Sequence, residues 1–235
     1  MITVRKSAER AHYNYGWLDT RHTFSFNEYY DPSYVGFRSL RVLNEDRIQG
    51  GTGFEEHSHQ DMEIITYVIE GALKHQDSTG FSTVIRAGEL QRMSAGRGIT
   101  HSEYNESKTE PAHFLQIWII PDRQGLEPSY AQHASLSKIK HGRWELCAAP
   151  GGSKYENALV IHQNVSLWYA RLKAREHLMY RICPKRCVWI QVVRGGVGFN
   201  KLFLEAGDGA AIYAENRLDI QSGREDSELL LFDLA

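Results

Sequence analysis

The sequence lacks the features of a membrane or secreted protein. None of its 235 residues belongs to an apolar run close to the roughly 18 residues that a membrane-spanning helix needs. Its N-terminus has no apolar core of the kind that a signal peptide requires. Cysteine is scarce, and Cys147, Cys183 and Cys187 have neither metal-finger nor CxxC spacing, which favours free thiols in a reducing compartment. These absences predict a cytoplasmic protein with no membrane partner.

An excess of charge of either sign is also missing. The 27 Lys and Arg residues nearly balance the 29 Asp and Glu residues, and the formal net charge is −2, so we expect no direct binding to nucleic acid. Residues 194–199 are rich in glycine but lack the Lys-Ser/Thr of a phosphate-binding loop, and they are interpreted as a hairpin turn. No Gly-x-Ser-x-Gly elbow is present, which disfavours a serine hydrolase.

What the sequence does contain is a series of short β-branched and aromatic segments separated by Gly, Asn, Asp and Ser. No helical periodicity alternates with them, so the pattern predicts an all-β protein of the barrel or sandwich type, with two domains in tandem. We expect an N-terminal metal-binding domain over 1–125, a linker over 126–140 and a C-terminal domain over 141–235. The predicted strands are 38–43, 63–69, 72–76, 82–85, 89–93, 114–120, 159–162, 166–172, 188–193, 198–203, 209–213 and 229–232.

Two triplets carry the chemistry: His57-Ser58-His59 and His101-Ser102-Glu103. Alternate residues of a β-strand point to the same face, so each triplet aims two potential ligands in one direction. If the two strands lie side by side, three imidazoles and one carboxylate converge. Such a set suits a catalytic first-row transition metal with open positions for substrate or dioxygen. The alternative is two unrelated surface histidine clusters.

The second half of the chain repeats the strand rhythm without these ligands. Gly207-Asp208-Gly209 resembles the turn at Gly88 that leads to the second triplet, but the segment 218–222 that follows has no imidazole. His177 has no potential ligand two residues away. We therefore expect a second barrel that binds no metal, and a duplication that lost its ligands is a hypothesis for its origin.

These motifs together resemble the pirin family of bicupins. The resemblance is specific over about the first 120 residues, and the second half looks like the shorter C-terminal cupin of bacterial pirin-like quercetin 2,3-dioxygenases. The segments that carry it are 57–71, 75–77, 94–103, 23–26, 30–32 and 38–43.

The resemblance implies two cupin (jelly-roll β-barrel) domains in tandem, of which only the N-terminal one binds metal. It also implies a metal site and a reaction. The implied ligands are His57, His59, His101 and Glu103. The implied metal is one divalent ion per chain, Fe(2+) first and Cu, Ni, Co, Mn or Zn as alternatives. The implied reaction is the opening of a flavonol such as quercetin, or of a related enol or catechol, by dioxygen with release of carbon monoxide. Glu103 could be ligand, base or both. The alternative function is a non-enzymatic, metal-sensing pirin-like regulator that acts through a protein partner.

Four further polar residues have two interpretations each. Glu63 either orients a ligating imidazole or is a solvated or salt-bridged carboxylate. His75 and His113 are interpreted as satisfied core or rim histidines rather than ligands. Gln116 stands in an apolar strand and either faces the cavity or makes a cross-strand hydrogen bond.

Aromatic residues of the first half could line a slot for a flat polyphenol. We expect at most two of them to contact a ligand, because most pack the barrel. The candidates are Phe24, Phe26, Tyr34, Phe37 and Trp118.

Overall fold

The computed structural model describes residues 1–133, 136–151 and 157–235, and strands dominate this part of the chain. The first twelve strands are β1 Ile2–Arg5, β2 Ala11–Asn14, β3 Leu18–His22, β4 Leu40–Ile48, β5 Gly53–His59, β6 Glu63–Glu70, β7 Ala72–Asp77, β8 Ser82–Arg86, β9 Leu90–Ser94, β10 Ile99–Asn105, β11 Ala112–Ile119 and β12 Ser129–His133. The others are β13 Arg143–Pro150, β14 Leu159–Ile161, β15 Val165–Leu172, β16 His177–Arg181, β17 Cys187–Arg194, β18 Gly196–Phe199, β19 Leu202–Glu205, β20 Gly209–Ile212, β21 Arg217–Ser222 and β22 Ser227–Leu234. Single turns of 3₁₀ helix occur at Ser7–Glu9 and Leu136–Lys138.

The N-terminal unit consists of residues 11–137 and 161–163. Its seven-stranded sheet has the order β12-β9-β6-β11-β4-β3-β2, and its four-stranded sheet has the order β5-β10-β7-β8. One buried cluster joins the two sheets, with Val68 and Phe114 from the larger sheet packed against Leu73 and Ile85 from the smaller. This apolar packing holds the sheets face to face.

The C-terminal unit consists of residues 1–10, 138–160 and 164–235, and it repeats this plan. Its sheets have the orders β1-β20-β17-β22-β15-β13-β14 and β16-β21-β18-β19, again seven and four strands. A buried apolar cluster that includes Ile190, Leu204, Leu229 and Leu231 fills its interior. The prediction of an all-β chain with two jelly-roll barrels is confirmed.

The two compact units have boundaries that differ from those expected from the sequence, at both ends of the first barrel. The expected linker contains β12, which pairs with β9 in the N-terminal unit (Tyr130 opposite Met93). The first strand belongs instead to the C-terminal unit, where Val4 lies opposite Ala210 of β20. Such edge strands are short and pair with segments remote in sequence, so hydrophobic periodicity does not reveal them. Residues 134–135 of the expected linker lie outside the described residues.

The strand predicted over 198–203 is wrong, because the structure has a hairpin there. Strand β18 ends at Phe199 and β19 begins at Leu202. Between them Asn200 and Lys201 have φ of 47° and 65°. Two consecutive residues at positive φ are what a tight type I′ hairpin turn requires, and they reverse the chain direction.

No helix in the described part of the chain is long and apolar enough to span a bilayer.

Candidate metal centre

Strands β5 and β10 bring the two predicted triplets together. The strands pair antiparallel, with His101 opposite His57 and Ile99 opposite His59. Residues directly opposite in an antiparallel pair point to the same face of the sheet, so His57, His59 and His101 lie on one face. The local structure is therefore the one that the alternation of the triplets predicts.

The three imidazoles lie close enough to share one ion. One ring nitrogen from each of His57, His59 and His101 lies within 4.8 Å of the other two. The ring centroids are 4.8 Å apart for His57 and His59, 4.5 Å for His57 and His101, and 5.0 Å for His59 and His101. A second group that satisfies the same limit contains His75, His101 and Glu103, all buried. His101 is common to both groups and stands at the centre of the cluster.

Burial keeps two of these imidazoles neutral at physiological pH. Burial first, and then the neighbouring His101 and His57, lowers the pKa of His59 to about 4. Burial, followed by His57 and His75, lowers the pKa of His101 to about 3. A metal ion needs the unprotonated form of an imidazole, so the surroundings favour the ligating form of both.

Hydrogen bonds of His57 and His101 indicate which ring nitrogen of these two residues is left for a metal. Nδ1 of His57 donates to the backbone carbonyl of Glu55 at 2.7 Å, which leaves its Nε2 lone pair. Nδ1 of His101 lies 3.4 Å from Nδ1 of His75, whose Nε2 lies 3.1 Å from a carboxylate oxygen of Asp77. If Asp77 accepts from Nε2–H of neutral His75, then His75 accepts from Nδ1–H of His101. The Nε2 lone pair of His101 is then available.

The carboxylate of Asp77, which contacts His75, is held ionised. Burial alone would raise the pKa of Asp77, but hydrogen bonds from Thr79 and His75 leave it below its ordinary value. An ionised Asp77 can only accept hydrogen bonds, which fixes the direction of donation along the chain Asp77–His75–His101.

Glu103 is held by three side chains of the facing sheet. Its Oε1 accepts from the amide of Gln91 at 2.9 Å and lies 3.3 Å from the hydroxyl of Thr66. Its Oε2 accepts from the amide of Gln116. The carboxylate is 1% exposed, so these donors replace the water that a charged group would otherwise require.

The donor set fits a divalent transition metal. Within the described residues Nε2 of His101 is buried and has no hydrogen-bond partner. A buried nitrogen lone pair aimed at two further imidazoles is unfavourable in a structural core but is what a metal site requires. The hydrogen bonds from His57 to Glu55 and from His101 to His75 are also of the kind that orient ligating histidines.

A cavity of about 530 Å³ opens onto this cluster. Four aromatic side chains line it, two of them among the candidates from the sequence, Phe26 and Trp118, and two not anticipated, Trp17 and Phe54. Trp118 packs edge-on against His59, with centroids 4.9 Å apart. The walls thus offer flat apolar surface beside the imidazoles, which suits a planar aromatic ligand.

Of the other polar residues singled out in the sequence, Gln116 lines the cavity, whereas Glu63 and His113 are not part of its lining. Gln116 faces the cavity and also makes a cross-strand contact, with Thr66 at 3.1 Å, so both interpretations hold. Glu63 is buried and lies 3.0 Å from Nδ1 of His162, so its partner is a histidine outside the cluster rather than one of the proposed ligands. His113 pairs with Glu45 at 3.0 Å, and neither residue is part of the cavity lining.

The C-terminal unit has apolar side chains where the first barrel has ligands. Strand β16 pairs with β21 as β5 pairs with β10, with Leu178 opposite Ile220 and Tyr180 opposite Leu218. In the order of the four-stranded sheets β16 and β21 take the places of β5 and β10, and all four side chains belong to the apolar core of the unit. Among the described residues, none of these four positions carries an imidazole or a carboxylate, so the prediction of a second barrel without a metal site stays a prediction that this pairing supports.

Comparisons with known proteins agree with this architecture. Residues 3–119 match the family model of pirin, and residues 146–234 match that of the quercetinase C-terminal cupin domain. The quercetin 2,3-dioxygenase of Escherichia coli (strain K12) is 47% identical over 234 residues, which cover 100% of this chain and 99% of that protein. A crystal structure of a bacterial pirin from Escherichia coli in complex with nickel(II) is 46% identical with a TM-score of 0.93, covering 100% of this chain and 99% of that one. A quercetin 2,3-dioxygenase from Acinetobacter baumannii, 18% identical with a TM-score of 0.78 over 98% of this chain and 85% of that one, shares the fold.

Proposed function

This chain belongs to the pirin family, and on that premise we propose that it is a metal-dependent dioxygenase that opens flavonols such as quercetin with dioxygen and releases carbon monoxide. The three clustered imidazoles of His57, His59 and His101 at an aromatic-lined cavity, with Glu103 also on its lining, support this proposal above all. A relative 47% identical over its whole length is a quercetin 2,3-dioxygenase, which supports the flavonol as substrate and dioxygen as co-substrate.

The proposed ligands are His57, His59, His101 and Glu103, with Fe(2+) as the metal. The nickel(II) complex of the similar bacterial pirin supports a divalent ion at this kind of site. When bound at these residues, a divalent metal would supply Lewis acidity and coordination positions for a chelating substrate or dioxygen.

The chain itself supplies orientation and a proton acceptor. Aromatic side chains on the cavity wall hold a flat ring and exclude water from the reacting face. Oε2 of Glu103 accepts from Gln116, whereas Oε1 lies near both Gln91 and Thr66. Oε2 therefore keeps a lone pair that protein donors do not use. This lone pair can serve a metal or a proton but not both at once, and we propose that in the proton-transfer step it takes the proton of the flavonol hydroxyl. The resulting enolate is the electron-rich form that reacts with dioxygen.

Replacing Glu103 tests whether it is the base. Glu103→Gln keeps the size and one oxygen of the side chain but cannot accept the proton. We expect it to retain part of its metal and to lose about 10²–10⁴-fold in turnover per bound metal, the usual contribution of general base catalysis. Oxygen uptake with quercetin and metal content, measured on the same samples, give that ratio.

A purely ligating Glu103 would behave differently. Activity would then follow metal content and would return when excess metal is supplied. His59→Ala is the matched control, because it removes a ligand but not the carboxylate. Absence of turnover by the wild-type protein loaded with iron, copper, nickel, cobalt or manganese would instead favour the regulatory alternative.

A further inference from the structure

A row of polar side chains crosses the larger sheet of the N-terminal unit beneath the ligand cluster. Its members lie directly opposite one another on five neighbouring strands, so they share one face of the sheet. All are buried. In order they are Gln91 on β9, Thr66 on β6, Gln116 on β11, Asn44 on β4 and His22 on β3.

The first three members of this polar row contact the proposed base Glu103, and within the described part of the chain no such contact is found for the fourth, Asn44. Gln91, Thr66 and Gln116 all contact the Glu103 carboxylate. Asn44 is the next residue along the row and lines the same cavity. Asn44 therefore lies next to Gln116, which donates to the proposed base Glu103, at the end of this group away from Gln91.

Asn44 has an unused hydrogen-bond acceptor. The residue is 4% exposed, and among the described residues its buried Oδ1 has no hydrogen-bond partner. Buried carbonyl oxygens nearly always have a donor, and an exception that lines a cavity points to a donor that arrives with a ligand. A phenolic hydroxyl is such a donor, and Phe26 and Trp118 on the cavity lining suit the ring that would carry it.

We propose that Asn44 is a specificity residue that accepts a hydrogen bond from a hydroxyl of the substrate other than the one deprotonated by Glu103. The inference rests on the proposed function and deepens it, because it selects polyhydroxylated flavonols over flavonols that carry only the chelating group. A substrate without the second hydroxyl leaves Oδ1 buried and unpaired, and sites built around a hydrogen bond reject analogues that lack it.

Equilibrium binding under anaerobic conditions tests this without relying on turnover. Quercetin is compared with 3-hydroxyflavone, which keeps the 3-hydroxy-4-keto group and lacks every other hydroxyl. Metal-loaded wild-type protein and Asn44→Leu are titrated with both. We expect Asn44→Leu to lose about threefold to tenfold in affinity for quercetin, the usual effect of one hydrogen bond, and to keep its affinity for 3-hydroxyflavone. Equal losses for both compounds, or none for quercetin, would overturn the proposal.

Three controls separate this role from a structural one. Asn44→Asp keeps an oxygen acceptor and should retain more of the preference for quercetin than Asn44→Leu. Asn216→Leu makes the same chemical change at an exposed residue of the C-terminal unit and should leave both affinities unchanged. Asn44→Ala replaces Asn44→Leu if the larger side chain prevents folding, and it should show the same selective loss.

The outcomes also separate this inference from the proposed function. If wild-type protein binds neither compound, the flavonol function fails and this inference fails with it. If wild-type protein binds and turns over quercetin but the Asn44 variants keep the full preference for it, only the inference fails.

Discussion

At the residue scale, the feature with the largest consequence is the chain of contacts from Asp77 through His75 to His101. The sequence suggested a satisfied core histidine at position 75, which is correct as far as it goes. The structure adds that His75 is satisfied by Asp77 on one side and by His101 on the other. A residue without a predicted role thus sets the orientation and the tautomer of a proposed ligand.

Removing this support should weaken metal binding without removing a ligand. His75→Phe keeps a flat ring in the core but cannot accept the Nδ1 proton of His101. We expect the affinity for a divalent metal to fall about 10- to 100-fold, as is usual when a hydrogen-bond partner of a ligating histidine is lost. Competition with a chelator measures the affinity. His113→Phe is the control, since its partner Glu45 lies outside the cluster. Equal effects of the two changes would mean that His75 only fills space.

The neutral imidazoles should make the metal-free protein sensitive to acid. The pKa of His59 is about 4 and that of His101 about 3 in the folded protein, whereas an unfolded histidine keeps about 6.5. Below pH 6.5 the unfolded chain therefore binds more protons than the folded chain, and acidification favours unfolding. The stabilising contribution is complete above pH 6.5 and is lost progressively as the pH falls toward the folded values.

Urea unfolding of metal-free protein between pH 4.5 and 7.5 measures this dependence. The midpoint should fall toward acid in the wild type and fall less in a His59→Gln, His101→Gln double variant. Parallel curves for the two proteins would contradict the assignment of the effect to these imidazoles.

At the scale of elements, an irregularity in β5 decides what faces Glu103. The register shifts between His101 and Glu103, so Glu103 lies opposite Phe54 rather than Glu55. In a regular ladder two carboxylates would have faced each other at the proposed metal site. The extra residue of this bulge instead leaves the backbone carbonyl of Glu55 to hold His57.

Gly53 lets β5 approach β10 at this irregularity. A Cβ at position 53 would lie 2.4 Å from the carbonyl oxygen of Glu103 and 2.5 Å from Cα of Tyr104. Gly53→Ala should therefore push the strands apart, destabilise the fold by about 1–3 kcal/mol and lower metal affinity. Thermal unfolding and chelator competition measure the two effects.

A glycine in another strand provides the control for this change. A Cβ at Gly198 of β18 would meet nothing closer than 3.6 Å, so Gly198→Ala should be tolerated. If Gly53→Ala left metal affinity at the level of Gly198→Ala, close approach of β5 and β10 would not be needed for the site.

At the scale of the whole molecule, two units share one strand plan, but among the described residues only the first has the clustered imidazoles of the proposed site. On β16 and β21, which take the places of β5 and β10 in the sheet order, Leu178, Tyr180 and Ile220 pack into an apolar core instead. This arrangement agrees with the hypothesis of a duplication whose second copy exchanged metal binding for apolar packing.

Elemental analysis should accordingly find one divalent ion per chain. His59→Ala and His101→Ala should each lower the occupancy sharply while the protein still folds, because both strands remain paired. His177→Ala, which removes the exposed histidine on β16, should leave it unchanged. Full metal occupancy in either of the first two variants would show that the replaced histidine is not a ligand. Two ions per chain would contradict the prediction that the C-terminal unit binds no metal.

The sequence by itself determined the features that depend on local pattern. Alternation of β-branched residues and turns indicated the fold class. The i, i+2 spacing of the two triplets predicted that three imidazoles and the Glu103 carboxylate converge if the two strands are neighbours. The structure groups His57, His59 and His101 in this way, and it groups Glu103 with His75 and His101. The motifs around them identified the family, to which the comparisons also assign the chain.

Only the tertiary structure decided what depends on contacts between distant segments. The bulge in β5, the pairing of β1 with β20 and of β12 with β9, and the link from His75 to His101 join residues whose spacing carries no signal. The same holds for the polar row, since Asn44 and Gln116 are neighbours only because β4 and β11 pair in one particular register. Local pattern fixes which face a side chain points to, whereas register between strands fixes what it meets there.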